Sequence, residues 1–198
     1  MSYHRPEIRR LEAALRIELQ GGELSDLDVI TAADTARQSA LDAAIDKIQT
    51  LQQAEGEVPD ANDPAVQAFV RQLFTALDSN FWSTVGQALI AIQSNKSFTG
   101  AAPLTPDRSV TDDYAHVDPS LDPNKGITFG EPFFEDADET CQREVITHEY
   151  FHFVVGAQHH YGTTSTLEAL ACPHHLAELV FDLALGEVNG CDDGATCF

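Results

Sequence analysis

The segment His148-Glu149-Tyr150-Phe151-His152 restricts this chain more than any other, because on an α-helix two histidines four residues apart stand on one face and can share one ion. On a helix both imidazoles stand on one face about 5–6 Å apart, close enough for each nitrogen to lie about 2.1 Å from one Zn²⁺. Glu149 then projects beside the ion, where its carboxylate can take a proton from metal-bound water. The flanking residues read as helix: Asp136 or Asp138 offers the N-cap, Val145, Ile146, Phe151, Val154 and Val155 supply an apolar face, and Gly156 stops the pattern. The expectation is a zinc held by His148 and His152, with Glu149 as general base.

A catalytic zinc needs a third protein ligand and a position left for water. Six of the eight histidines fall between positions 148 and 175. His159 and His160 follow the turn at Gly156, but the glycine comes one residue late for H-E-x-x-H-x-x-G-x-x-H, and position 158 is Gln, which disfavours a metzincin. Glu168 could be a ligand supplied by a second helix, although Ser165-Thr166-Leu167-Glu168 also reads as a capping box. His159 is the favoured third ligand, with His160 and Glu168 as alternatives. His174 and His175, after Pro173, offer either a hydrogen-bond donor to the site or a surface pair. Tyr161 is either a packed aromatic in a tight turn or a donor to the oxyanion of a tetrahedral intermediate. His116 and Trp82 read as structural.

A chain of 198 residues is long enough for a core of its own. Residues 1–99 read as a helical N-terminal part and residues 100–198 as the catalytic part of one compact domain. Apolar residues recur at helical spacing through Ile8–Leu19 and again through Ile30–Leu51. Asp63-Pro64 opens a third helix carrying Phe69, Leu73 and Leu77, and Phe81–Ile92 a fourth. Residues 100–125 read as turns, and residues 114–117 and 127–129 alternate like short strands. A last helix is expected from near Ser165 to near Gly186. The fold class is therefore α+β, mainly helical, with a small sheet.

Eleven Lys and Arg against 32 Asp and Glu leave a net charge of −21, which would repel phosphate backbones and anionic lipids. No nucleic-acid partner is expected, and no apolar run is long enough for a membrane span. The start lacks the apolar stretch of a cleavable signal peptide, so the expectation is a cytoplasmic chain, a mature form, or export by another, non-classical route, and the compartment stays open. Cys141, Cys172, Cys191 and Cys197 have no paired C-x-x-C spacing. Cys191 and Cys197 could close a short loop in an oxidising compartment, Cys141 and Cys172 lie on segments read as neighbouring helices, and the disulfide state stays open.

Asp113-Tyr114-Ala115-His116-Val117-Asp118-Pro119, then Gly126-Ile127-Thr128-Phe129-Gly130-Glu131-Pro132-Phe133-Phe134, the H-E-x-x-H helix, Tyr161-Gly162 and the helix from Ala171 to Phe181 together resemble the deuterolysin-type metallopeptidases, the aspzincins. Their lysine-specific branch is the nearest echo, and with Phe81-Trp82 the likeness spans roughly residues 32–185. The resemblance implies a zincin-like fold, zinc on His148 and His152, and Tyr161 as the transition-state tyrosine. It also implies an aspartate ligand three residues before the Tyr-Gly pair, where this chain has Gln158.

The function expected is that of a zinc-dependent endopeptidase acting on a protein or peptide substrate. Two rivals stand beside it: a catalytically degenerate metal-binding module used for partner recognition, and a peptidase toxin effector delivered to neighbouring cells. Residues 100–198 carry net charge −15, and Glu178 and Asp182 lie on the helix placed behind the metal, so cleavage next to Lys or Arg is expected. The oligomeric state is left open.

Overall fold

The computed structural model describes residues 22–98, 103–156 and 165–186. Helices α1 (Leu24–Gln52), α2 (Pro64–Leu73) and α3 (Phe81–Ser97) come first, followed by strands β1 (Leu104–Pro106), β2 (Ala115–Val117) and β3 (Ile127–Phe129). Helices α4 (Glu131–Glu135), α5 (Glu139–Val155), α6 (Thr166–Leu170) and α7 (Pro173–Leu185) complete the order. The expected helix at residues 8–19 lies outside the described residues. The α+β, mainly helical class holds.

Local chemistry sets most of these boundaries. Asp63 caps α2 by accepting from the amides of Ala65 and Val66, with Pro64 at the first helical position. Helix α2 ends at Leu73, so Leu77 leaves the expected helical face and is exposed. The last helix is two helices. Pro173 has no amide hydrogen to give and disfavours α conformation at Cys172, so α6 stops at Leu170 and α7 restarts with Pro173 at its first position.

The sheet has the order β1-β3-β2, with β1 parallel and β2 antiparallel to β3. Strand β1 falls within the stretch read as turn, because Pro103 precedes it and Pro106 is its last residue. They are tolerated there because β1 is an edge strand, and Pro103 contributes its carbonyl to the amide of Ile127 at 2.8 Å. Gly126 makes that pairing possible: at φ 75° a Cβ would sit 1.9 Å from the Pro103 oxygen.

Two apolar clusters fill the interior, and α1 and α5 run through both. One joins Ala40–Leu51 of α1 to Phe69, Phe81, Ile92, Phe151 and the apolar face of α7. The other joins Leu27, Ile30 and Ala33 to Leu104, Ile127, Phe129, Phe133, Ile146 and Tyr150. Successive residues of α5, Tyr150 and Phe151, are thus buried in different clusters, which fixes the rotation of the helix that carries the motif. Burying a side chain of this size stabilises by about 1.5–3 kcal/mol, so rotating α5 would forfeit several such terms.

Arg37 sits between the two clusters and is fully buried. Its Nε donates to Asp34 Oδ1 at 2.8 Å, and one terminal nitrogen donates to the Asn95 side-chain oxygen at 2.6 Å and carbonyl at 3.2 Å. A buried guanidinium is tolerated only when its donors are met in this way.

Candidate metal centre

Helix α5 opens on Asp138, which accepts from the amide of Cys141 at 2.8 Å, and closes on Gly156 in the left-handed conformation at φ 64°. Between these caps His148 and His152 turn their Nε2 atoms toward each other at 3.1 Å, with ring centroids 4.9 Å apart. A ligand nitrogen of each and a carboxylate oxygen of Glu149 lie within 4.8 Å of one another. Among the described residues this is the group of His, Cys, Asp and Glu donors placed to hold one ion.

Glu149 is buried and receives a hydrogen bond from the Val117 amide of strand β2. Burial pushes its carboxyl well above the usual carboxylate range, the charge of Asp113 adds to this, and the Val117 bond offsets part of it. A carboxyl held in this way next to paired imidazoles is placed to accept and return a proton.

Behind the motif, Asn95 of α3 donates its side-chain amide to the carbonyl of Thr147 at 3.0 Å, while Arg37 stacks 4.0 Å from the centroid of the Tyr150 ring. This brace joins residues far apart in the sequence and belongs to no local motif. Its signal was a charge within the apolar stripe Ile30, Ala33, Ala40, Leu41 and Ala44.

Helix α7 borders the site. His174 lies with its ring centroid 6.3 Å from that of His148, and its Nε2 is 3.2 Å from Glu178. Burial works against a charge on His174, but the Glu178 carboxylate outweighs it and holds the imidazole above its ordinary range. His175 is buried, its two ring nitrogens meet no hydrogen-bond partner among the described residues, and burial keeps it below the ordinary range. Asp182 does not wall the cleft as the sequence suggested. Arg71 donates to both of its oxygens, at 2.7 and 3.1 Å, and Gln72 adds a third bond at 3.3 Å.

Of the remaining sequence-expected residues, Glu168 joins the N-cap of α6 through half of the expected capping box: its amide donates to Ser165 Oγ at 3.4 Å, and its Oε2 accepts from that hydroxyl, not from the Ser165 backbone amide, at 2.7 Å. His116 lies on β2 with its side chain largely exposed, and Trp82 donates to the Glu57 carbonyl at 3.0 Å. Gln158, His159, His160 and Tyr161 lie outside the described residues. Cys141 is disulfide-bonded and Cys172 is a buried thiol, so these two do not pair with each other.

The donor set fits zinc. Two facing imidazole nitrogens suit a borderline-soft ion, and a carboxylate beside them suits the ion's reactive side.

The fold is α+β and mainly helical, with a small three-stranded sheet beside the helix that carries His148, Glu149 and His152. A solved structure described as a zinc peptidase from Grifola frondosa has the same fold, with a TM-score of 0.61 over 81% of this chain and 97% of that one, at 17% sequence identity. No family model and no curated protein sequence matches the chain.

Proposed function

We propose that the protein is a zinc-dependent endopeptidase. The observation that carries this reading is the pair of Nε2 atoms at 3.1 Å with the Glu149 carboxylate beside them, on a helix capped at both ends and braced by Asn95 and Arg37. The likeness to a zinc peptidase fold and the sequence resemblance to deuterolysin-type enzymes support it.

In this reading His148 and His152 hold the zinc and His159 supplies the third ligand. When bound, zinc contributes Lewis acidity that polarises the scissile carbonyl and acidifies water. Glu149 takes a proton from the attacking water as its oxygen bonds to the carbonyl carbon, then passes that proton to the departing amine as the C–N bond breaks. The Val117 amide keeps the carboxylate aimed at the site. Tyr161 donates its hydroxyl to the carbonyl oxygen as negative charge develops there. No side-chain nucleophile is needed.

The disulfide at Cys141 favours an oxidising compartment, which supports export and leaves room for the effector role. Gln158 in place of the family's aspartate favours the second reading, a metal-binding module without turnover. Zinc analysis of the purified protein, paired with casein cleavage with and without chelator, separates them. The peptidase reading expects about one zinc per chain and chelator-sensitive cleavage. Zinc without cleavage would favour the module.

A further inference from the structure

Away from the metal pair, a cavity of about 310 Å³ opens between the C-terminal half of α1, helix α2 and the end of α7. Lys47 stands on its α1 side, Ala65 and Arg71 on its α2 side, and Asp182, Leu183 and Ala184 on its α7 side. Its volume lies at the lower end of the range that holds small organic ligands. Asp182 follows His174 by two helical turns, about 12 Å along the axis, so the cavity and the candidate metal ligands sit at opposite ends of α7.

The wall brings two cations together in a chain of net charge −21, where cations are otherwise claimed by carboxylates. Arg37 is held by Asp34, Lys96 by Asp42, Arg108 by Asp26 and Glu135, and Lys125 by Asp118. Lys47 is exposed and has no ion-pair or hydrogen-bond partner among the described residues. Arg71 turns its Nε and one terminal nitrogen to Asp182, at 3.1 and 2.7 Å, yet its side chain is 48% exposed. Three of its five N–H groups therefore have no acceptor among the described residues.

Asp182 fixes the plane of the guanidinium. Its own carboxylate is buried and also receives the Gln72 amide at 3.3 Å, so its charge is compensated within the protein. Two positive charges and one negative leave the wall with a balance of +1. The first amides of α2 add no donor, because Asp63 already accepts from Ala65 and Val66. An anion here must be met by the Lys47 and Arg71 side chains, while Pro64, Ala65, Leu183 and Ala184 supply apolar surface around them.

We propose that this cavity binds a small organic monocarboxylate with a compact apolar body, its carboxylate shared between the Lys47 ammonium and the outer N–H groups of Arg71. One negative charge matches the balance of the wall, and the planar guanidinium suits a planar carboxylate. A phosphate dianion would bring a second charge toward the Asp182 carboxylate with no further cation to meet it. A neutral molecule would cover the Lys47 ammonium without pairing it. Helices α1, α2 and α7 belong to one apolar cluster, so an occupant that touches all three stabilises the fold by mass action. The site does not depend on the peptidase reading.

The test titrates the full chain, zinc-loaded and chelator-treated, with naphthoate, its neutral analogue naphthamide and inorganic phosphate in a calorimeter. Naphthoate should bind at one site per chain, on the order of tenfold more tightly than naphthamide and more tightly than phosphate, with the same affinity in both forms of the protein. Lys47→Met keeps the apolar stem and should weaken naphthoate about tenfold with naphthamide little changed. Lys96→Met, at an exposed lysine outside the cavity, should alter neither. Ala65→Leu narrows the cavity and should weaken both aromatic ligands. Binding that requires zinc would assign the ligand to the metal centre and overturn the proposal. Equal affinity for acid and amide, unchanged affinity in Lys47→Met, tighter binding of phosphate, or no binding of naphthoate would each overturn it as well.

Discussion

The side-chain amide of Asn95 donates to the backbone carbonyl of Thr147, 3.0 Å away, immediately before His148. Asn95 is itself held by the buried guanidinium of Arg37, so helices α1 and α3 grip α5 next to the candidate ligands. A polar link at this point fixes the axial position of α5, which apolar packing alone specifies less sharply.

The first prediction concerns that link. Arg37→Ala strands Asp34 and Asn95 without their cationic partner and removes the stack on Tyr150, and should cost on the order of 3–5 kcal/mol in denaturant unfolding. Asn95→Ala should cost less, about 1–3 kcal/mol. Both variants should also lose zinc affinity. Parental stability in Arg37→Ala would mean that the brace contributes little.

A pH dependence follows from Glu149. Its carboxyl is raised in the fold, so its stabilising effect is present below the ordinary carboxylate value of 4.5 and is lost as pH rises through the folded value. In chelator-treated protein, Glu149→Gln should therefore be more stable than the parent at pH about 8, with the gap closing toward pH about 4. Denaturant midpoints at the two pH values measure it.

Asp26 behaves in the opposite sense. Its hydrogen bonds from Arg108, at 2.7 and 3.0 Å, hold its carboxyl below the usual 3.8 despite burial. The stabilisation is present above that value and lost as pH falls through the lower folded one. Arg108→Ala should flatten the acid limb of the stability curve, and a thermal melt series below pH about 5 reads the change.

Much of α5 was legible because its signals are local: Asp138 and Gly156 bracket it, and the motif has meaning only on a helix. Helix α2 was legible at its start for the same reason, but the conformation of Phe74 that ends it is not encoded in any turn residue. Strand β1 was hidden because prolines signal turns, and only the pairing with β3 reveals that the edge tolerates them. The break at Cys172 is written in Pro173, although apolar periodicity runs on across it. At the site, the histidine pair and Glu149 were visible as spacing. The engagement of Asp182 by Arg71 was not, because it joins residues 111 positions apart. Local chemistry survives in sequence, whereas the partners of a charge are decided by tertiary packing.

The ligand set gives another prediction. His159→Ala should lower zinc affinity strongly, whereas Glu168→Ala should remove only a cap, about 1 kcal/mol of stability, with unchanged zinc binding. Competition with a chromogenic chelator measures both. Zinc loss in Glu168→Ala would move the third ligand to α6.

The central claim is tested most directly by comparing the parent with Glu149→Gln at equal zinc content in a peptide-cleavage assay. Elemental analysis should find about one zinc per chain in each, since both imidazoles remain. Turnover should fall by several orders of magnitude in the variant, because an amide cannot take the proton from water. Undiminished cleavage by zinc-loaded Glu149→Gln would contradict the account.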